Sequence, residues 1–390
     1  MTSQKLVRLS DVCRQDRTSV KAGQRAELAY IGLESIESNT GRFNEGGLSK
    51  TPEVPLANSF RFGPEHVLCG KLRPYLNKVA LAEFEGKCST EIIPLLPSPD
   101  LDRRFLAYFL RLPRTVSRIS EKTAGARMPR ADMDFIFSLE LVLPSLTEQR
   151  RIVDLLSRAE GIVRLRRDAQ RKAAELIPAI FLDMFGNPAT NPKDWSVVLL
   201  GGLITTGPQN GLYKHSSFYG SGTPILRIDA FYDGLVSDFM NLKRLRLDDT
   251  ERTRFSLVEG DLVINRVNSP EYLGKSALIP ALPDSVVFES NMMRFAIDQH
   301  RADPGFIIQL LQTQHAKCHF LTNAKHAINQ SSINQQDVKS LTVPVPPLAM
   351  QQAFKRHLDS VSSIIAQQAE ASGKAKASFD ALLANAFAEA

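Results

Sequence analysis

Residues 143–185 read LPSLTEQRRIVDLLSRAEGIVRLRRDAQRKAAELIPAIFLDMF, and residues 345–387 read VPPLAMQQAFKRHLDSVSSIIAQQAEASGKAKASFDALLANAF. An offset of 202 positions lays Pro144 on Pro346, Leu146 on Leu348, Gln149 on Gln351 and Phe185 on Phe387. In the first copy Ile152, Leu156, Ala159, Val163, Ala173, Ile177, Ile180 and Met184 follow steps of three and four. Their partners are Phe354, Leu358, Val361, Ile365, Ala375, Phe379, Leu382 and Ala386, and the polar pairs Arg166/Gln368 and Gln170/Ser372 fall together mid-stretch. Such steps keep one face of an α-helix turned to a partner helix. Each helix would run roughly 60 Å, more than the width of one domain. Packing the two stripes on each other buries both. Pro178 lacks an N–H and predicts a kink near Ala174 in the first copy alone.

Outward from the helices lie two regions of another character. Residues 1–143 and 191–345 carry short apolar runs and Gly/Pro turns, such as Glu91-Ile92-Ile93-Pro94-Leu95-Leu96 and Gly260-Asp261-Leu262-Val263-Ile264-Asn265. The expected fold class is α+β. Two globular α/β domains (1–143, 191–345) are separated by two long helices (144–190, 346–390), which pack as an antiparallel coiled coil with pseudo-twofold symmetry. Between the globular parts only faint correspondences appear. His66-Val67-Leu68-Cys69 resembles Asp261-Leu262-Val263-Ile264, and Ala124-Gly125-Ala126-Arg127 falls on His326-Ala327-Ile328-Asn329.

The chain has 390 residues, 43% apolar and 23% charged, with 48 Lys plus Arg against 42 Asp plus Glu. These proportions fit a folded multidomain protein, and a formal charge of +6 permits a polyanionic partner without requiring one. Cys13, Cys69, Cys88 and Cys318 are too scattered for a disulfide framework. No stretch reaches the ~18 apolar residues of a membrane span, so a reducing, cytoplasmic setting is expected. Motifs for catalysis fail one by one. Gly274-Lys275-Ser276 ends like a phosphate loop, but Ser269 stands where the upstream glycine belongs. Phe218-Tyr219-Gly220-Ser221-Gly222 runs into a strand instead of opening a helix. The seven histidines show no metal spacing. The expectation is a non-catalytic chain with no metal and no cofactor of its own.

Binding chemistry is better represented. Residues 103–130 hold Arg103, Arg104, Arg111, Arg114, Arg118, Lys122, Arg127 and Arg130 against Glu121, around the apolar run 105–110. A cationic helix face opposite a buried one binds phosphates without reading sequence. Reading bases takes Arg or Lys for guanine and Asn or Gln for adenine. Three loops in each half offer them. The first half has Arg42 and Asn44, then Lys71, Arg73, Tyr75, Asn77 and Lys78, then Arg127 and Arg130. The second has Gln209, Asn210, Tyr213 and Lys214, then Asn265, Arg266 and Asn268, then Asn329 and Gln330.

Pro144-Ser145-Leu146-Thr147-Glu148-Gln149, with Ile152-Val153 after it, is similar to the P-x-L-x-E-Q-x-x-I-V start of the helix in specificity subunits of type I restriction–modification systems. Phe185-Gly186-Asn187-Pro188, the repeat at Pro346-Pro347-Leu348, Leu72-Arg73-Pro74-Tyr75-Leu76-Asn77-Lys78 and Cys88-Ser89-Thr90-Glu91 resemble the same family. The resemblance implies two target-recognition domains that each bind half of a bipartite site on double-stranded DNA. It implies helices that act as a ruler and dock two modification subunits. S-adenosylmethionine, ATP and Mg are implied only for those modification subunits and for restriction subunits. Met350 and Gln352 replace Glu148 and Arg150 in the second copy, which implies unequal docking at the two ends. A self-sufficient DNA methyltransferase or nuclease, and a coiled-coil adaptor that binds no DNA, remain as alternatives.

Overall fold

Both repeats fold as helices, and each end of the pair is built into a different globular body. The computed structural model describes residues 5–21, 27–44, 58–125, 127–236, 239, 241–282, 284–327 and 330–388. Its contacts divide the chain into two units, 1–168 with 369–390, and 169–368.

In unit 1 the strand β1 (Lys5–Arg8) pairs antiparallel with the later strand Glu140–Leu143. A four-stranded antiparallel sheet contains β2 (Cys13–Gln15), β3 (Val67–Gly70), β4 (Val79–Leu81) and β5 (Ile92–Pro97), in the order β2-β5-β3-β4. Beside it Ala29–Ile31 runs parallel to Gly86–Ser89. The central strand β3 is buried on both faces. Val67 and Cys69 enter one core and Leu68 another, as a side-chain period of two requires. Helix α1 (Arg103–Arg111) begins at Asp102, whose carboxylate accepts from the Arg104 and Phe105 N–H groups. A hairpin follows, β6 (Thr123–Ala124) with β7 (Arg130–Ala131), then β8 (Glu140–Leu143) leads to α2 (Leu146–Phe185).

Unit 2 repeats this plan. Strand β9 (Ser196–Leu199) pairs with a strand at Thr342–Val345. The sheet holds β10 (Ile204–Asn210), β11 (Leu262–Asn265), β13 (Ser276–Leu278) and β14 (Met292–Ile297), in the order β10-β14-β11-β13, with the short β12 (Val267–Asn268) following β11. Ile225–Leu226 runs parallel to Val287–Phe288, as its counterpart does in unit 1. Leu262 and Ile264 face one core and Val263 another. Then come α3 (Pro304–Leu311), capped by Asp303, the hairpin β15 (Lys325–Ala327) with β16 (Gln330–Ser332), β17 (Thr342–Val345) and α4 (Leu348–Ala386). The globular parts that look unrelated in sequence therefore share the strand order of their central sheet and the parallel pair beside it.

Each unit holds opposite ends of the two long helices, so the pair is antiparallel. In unit 1, Ile152, Leu156, Ala159 and Val163 of α2 share a core with Phe379, Leu382, Leu383 and Ala386 of α4. In unit 2, Ile177, Ile180, Phe181 and Met184 share one with Met350 and Phe354. Ala173 and Val361 are also buried, while Leu358, Ile365 and Ala375 are half-buried. A second apolar row, outside the three-and-four stripe, anchors the helices to the globular parts. Phe387 lies 4.7 Å from Phe105, and Phe185 lies 4.9 Å from Phe306. Pro178 sits inside α2 without breaking it. Both Pro178 and Ala174 are exposed, so the carbonyl freed by the missing N–H faces water.

Gln149 and Gln351 explain one identity in the repeat. Both side chains are fully buried at the starts of the long helices. The Asp102 N–H donates to Gln149 Oε1 and the Asp303 N–H to Gln351 Oε1, both at 2.8 Å. Gln149 Nε2 donates to Pro144 O at 2.9 Å, and Gln351 Nε2 to Pro346 O at 2.7 Å. Each glutamine thus joins a long helix to the cap of the globular helix beside it.

Candidate nucleic-acid interface

The chain leaving β3 makes a short exposed loop. Gly70 N–H donates to Lys78 O at 2.8 Å, which closes the loop, and Lys71 N–H donates to Glu91 O at 2.9 Å. Ala131 N–H donates to Lys71 O and Arg73 N–H to Pro129 O, so the loop lies along the β6–β7 hairpin. Arg73 and Asn77 flank the turn Pro74–Leu76 with left-handed backbone, at φ 51° and 49°. For arginine that conformation costs about 1–2 kcal/mol. The two strong backbone bonds around Arg73 hold it there, and its side chain is exposed.

Unit 2 builds the same loop after β11. Asn265 N–H donates to Lys275 O, Arg266 N–H to Asn291 O, and Ile333 N–H to Arg266 O, at 2.8–2.9 Å. Val267 and Asn268 pair with Ser332 and Ser331, as Leu72 bridges Arg130 in unit 1. A turn at Pro270–Tyr272 follows, then Gly274 at φ 75° in the place of Asn77. The loops end alike, as Tyr75-Leu76-Asn77-Lys78 and Tyr272-Leu273-Gly274-Lys275. Both tyrosines are exposed, 55% and 45%, and both lysines turn inward. Lys78 Nζ donates to Leu33 O at 2.6 Å, whereas Lys275 Nζ lies 3.9 Å from the Tyr232 ring centre. Burial pushes the Lys275 ammonium below its ordinary range, against the pull of Asp229 and Asp233. Tyr272 and Lys275 are absent from the candidates that sequence composition picks out, although the shared Tyr-Leu-x-Lys marks them.

Several predicted residues come together. In unit 1 the loop with Lys71, Arg73 and Tyr75 meets the hairpin with Arg127. Asn39 N–H donates to Asn77 O, which brings the turn before Arg42 and Asn44 against the same loop. In unit 2 Gln330 lies on the strand paired to Asn268. Ser290 joins the Tyr213 loop to Arg266, for its N–H donates to Leu212 O and its carbonyl accepts from the Arg266 guanidinium at 3.1 Å. Arg42 is half-buried, and Asn210, Tyr213 and Gln330 are exposed. Asn329 lies outside the described residues.

Other candidates are occupied within the fold. Asn77 is buried and donates to Asn39 Oδ1 and Arg111 O. Asn265 is completely buried at the end of β11. Asn44 donates to Glu34 O, and Arg130 forms a two-pronged pair with Glu91 at 2.8 and 3.1 Å. Gln209 accepts from Arg294, and Lys214 pairs with Glu251 at 2.6 Å. The basic run 103–130 also departs from expectation, because it is not one open cationic face. Arg103 pairs with Glu83, Arg111 is buried against Glu160 of α2, and Arg114 donates to Phe387 O. Buried Tyr108, its hydroxyl pushed up to about 12 chiefly by desolvation, donates to Glu160 as well. Arg111 and Tyr108 thus tie α1 to α2, and Arg114, on the helix Pro113–Glu121 that follows α1, reaches the chain just past α4. Arg104, Lys122 and Arg127 stay exposed.

Two matching loops on two matching bodies, each carried by the long helices, form a pattern that can be compared with known proteins. The family model for the type I restriction modification DNA specificity domain matches residues 6–174 and again 192–372. The chain belongs to this family. The specificity subunit of the EcoKI type I restriction enzyme of Escherichia coli K12 is 25% identical over 86% of this chain and 75% of its own length. That of the StySPI enzyme of Salmonella potsdam is 23% identical over the same shares. The putative MjaX specificity subunit of Methanocaldococcus jannaschii is 30% identical over 47% of this chain, a match spanning 44% of that relative. A solved chain from a study of complex assembly and conformational transition in a type I system aligns over 99% of this chain and 98% of itself, with TM-score 0.59 and 18% identity. The S subunit crystal structure from M. genitalium covers 99% and 97%, with TM-score 0.54 and 13% identity. Likeness at this identity speaks for the fold. Among the described residues no helix is long and apolar enough to cross a membrane.

Proposed function

We propose that this specificity-family chain is the DNA-recognition subunit of a type I restriction–modification complex, working in the cytoplasm without catalytic groups of its own. Residues 1–143 read one half of a bipartite, asymmetric site and residues 191–345 the other. Residues 144–190 and 346–390 set the spacer between the halves and dock two modification subunits, which supply methyl transfer and engage restriction subunits. One observation carries the reading. The same loop closure is built twice on equivalent bodies whose remaining sequences differ, with Arg73 and Tyr75 exposed on one and Tyr272 exposed beside half-buried Arg266 and Asn268 on the other. A chain that presents one kind of reader twice with unlike side chains suits two unlike half-sites. The names of the relatives support this assignment, and so does the length of the helices, roughly 60 Å against 34–36 Å between half-sites one turn apart.

The test is mechanical. Inserting or deleting one heptad in both helices should change the length of spacer recognised and leave both half-sites intact. An unchanged spacer would refute the ruler. Turnover by the chain alone with labelled S-adenosylmethionine would favour a self-sufficient methyltransferase. Absent or salt-insensitive binding to duplex DNA by the assembled complex would favour an adaptor.

A further inference from the structure

In unit 1 an open cavity of about 530 Å³ lies where the turn 39–42 meets α2 and the C-terminal part of α4. Five cations line it, Arg42, Arg111, Arg164, Arg167 and Lys376, against the carboxylates of Glu160 and Asp380. Two of the cations are taken. Arg111 is buried and pairs with Glu160, and Lys376 Nζ lies 2.5 Å from Asp380. Arg167 reaches Glu37 at 3.3 Å, an exposed pair of the kind that contributes little. The side chains of Arg42 and Arg164 have no partner among the described residues.

Arg111 holds the site together. Its guanidinium donates to Asn39 O at 3.0 Å and packs under Gly41, where an added Cβ would lie 2.6 Å from Nη1. Gly41 is also left-handed, at φ 76°, so only glycine suits this turn. Through Glu160 the same guanidinium holds α2. The turn that carries Arg42 and the helix that carries Arg164 are thus tied at one buried group. Asn39 N–H donates to Asn77 O, so the turn continues the surface of the loop after β3.

Unit 2 has the same turn without the charge. Gly234, at φ 83°, lies against Gln312, with an added Cβ 3.7 Å from its Nε2. Gln312 follows α3 where Arg111 ends α1, and Leu235 follows Gly234 as Arg42 follows Gly41. The offset of 202 puts Ala366 and Ala369 in place of Arg164 and Arg167, and Ser362 in place of Glu160. A turn of this kind therefore forms without these cations, and unit 1 does not need Arg42, Arg164 and Arg167 for its fold.

Resting on the recognition role proposed above, we propose that Arg42, Arg164 and Arg167 bind backbone phosphates of the DNA bordering the first half-site. The equivalent place in unit 2 makes no such contact. Guanidinium groups match phosphate oxygens in a two-pronged way, and these contacts add affinity without reading bases. The complex grips its two half-sites unequally, whichever bases they contain.

The experiment uses the full chain assembled with type I modification subunits, on duplex DNA carrying the site that this complex selects from a randomised library. Wild type is compared with Arg42→Leu, Arg164→Ala and Arg167→Ala. The control is Arg158→Ala, which removes a cation paired with Asp154 on the same helix, outside the cavity. Thermal unfolding checks that each variant is folded. Each cavity variant should lower the slope of log affinity against log salt by about 0.9, so between about 50 and 200 mM salt it should lose roughly 3-fold less affinity than wild type. The selected bases should stay the same in both halves, and Arg158→Ala should bind as wild type does. Ethylating single phosphates beside the first half-site should weaken wild type, and the double variant Arg42→Leu/Arg164→Ala should no longer respond there. An unchanged slope in folded variants, a change in the selected bases, or lost interference beside the second half-site instead would overturn the inference and leave the recognition role standing. Stabilisation by inorganic phosphate that the variants lose, with the slope on DNA unchanged, would make the cavity a small-anion site and overturn it too. A wild-type complex that selects no sequence would overturn both.

Discussion

The two globular bodies follow one path of chain with different side chains, while the two long helices keep apolar side chains, though seldom the same ones, at the same intervals. The difference shows what each part must satisfy. A helix packed along another has its apolar positions set by a period that an insertion of one or two residues would break. A sheet carrying loops needs only alternating apolar residues in its strands and bonded loop ends, so the loops can change in length and chemistry. The two matching loops differ by two residues in length, yet close on equivalent bonds.

The largest effects come from damaging the aromatic anchors at the two ends of α4. Phe354 is wholly buried, with ring centres of Phe181 and Phe185 both 5.5 Å away. Phe354→Ala should cost about 3–5 kcal/mol in denaturant unfolding. Phe387 packs on Phe105 but follows the last residue of α4, where fraying absorbs part of the loss. Phe387→Ala should cost less. Equal losses would mean that the end of α4 is as firmly held as its beginning.

How much of this was legible beforehand follows from the offsets. Gln149 and Gln351 stand 202 apart, and the repeat is plain wherever that offset holds. In the globular parts it drifts. His66 aligns with Asp261 at 195, Lys78 with Lys275 at 197, Glu91 with Asn291 at 200 and Asp102 with Asp303 at 201. Each loop that changes length resets the register, so a single offset sees only fragments. The apolar stripe identified the helix seam but passed over Phe181, Leu383 and Phe387. These sit one position off the three-and-four rhythm because they face the globular cores. The candidate loops stand out by their composition alone. Composition cannot distinguish Arg73, which points to solvent, from Asn77 and Asn265, which point inward. That depends on which backbone groups the loop must satisfy.

The glutamine caps sharpen the comparison at intermediate size. Gln149→Ala leaves the Asp102 N–H and the Pro144 and Asp100 carbonyls without the glutamine, and Gln351→Ala leaves the Asp303 N–H and the Pro346 carbonyl without theirs, which costs about 1–3 kcal/mol apiece. If the two devices are equivalent, the losses should agree, and the Asp102 and Asp303 amides should lose hydrogen-exchange protection to the same degree. A loss confined to one variant would make the matching geometry incidental.

The smallest effect concerns charge. Burial holds the Asp303 carboxyl above its ordinary value of 3.8, against the pull of the Gly305 and Phe306 N–H groups and of Lys355. A carboxyl whose pKa is higher folded than unfolded favours the fold below the unfolded value. That contribution disappears as pH rises through the folded value, and above it the buried charge is a cost. Asparagine caps a helix about as well as aspartate and carries no charge. Asp303→Asn should therefore gain stability relative to wild type as the pH is raised from acid to neutral, by thermal unfolding. If the difference between the two proteins stays constant across that range, the Gly305 and Phe306 N–H groups already offset the cost of burial in full, and Asp303 acts as a cap alone.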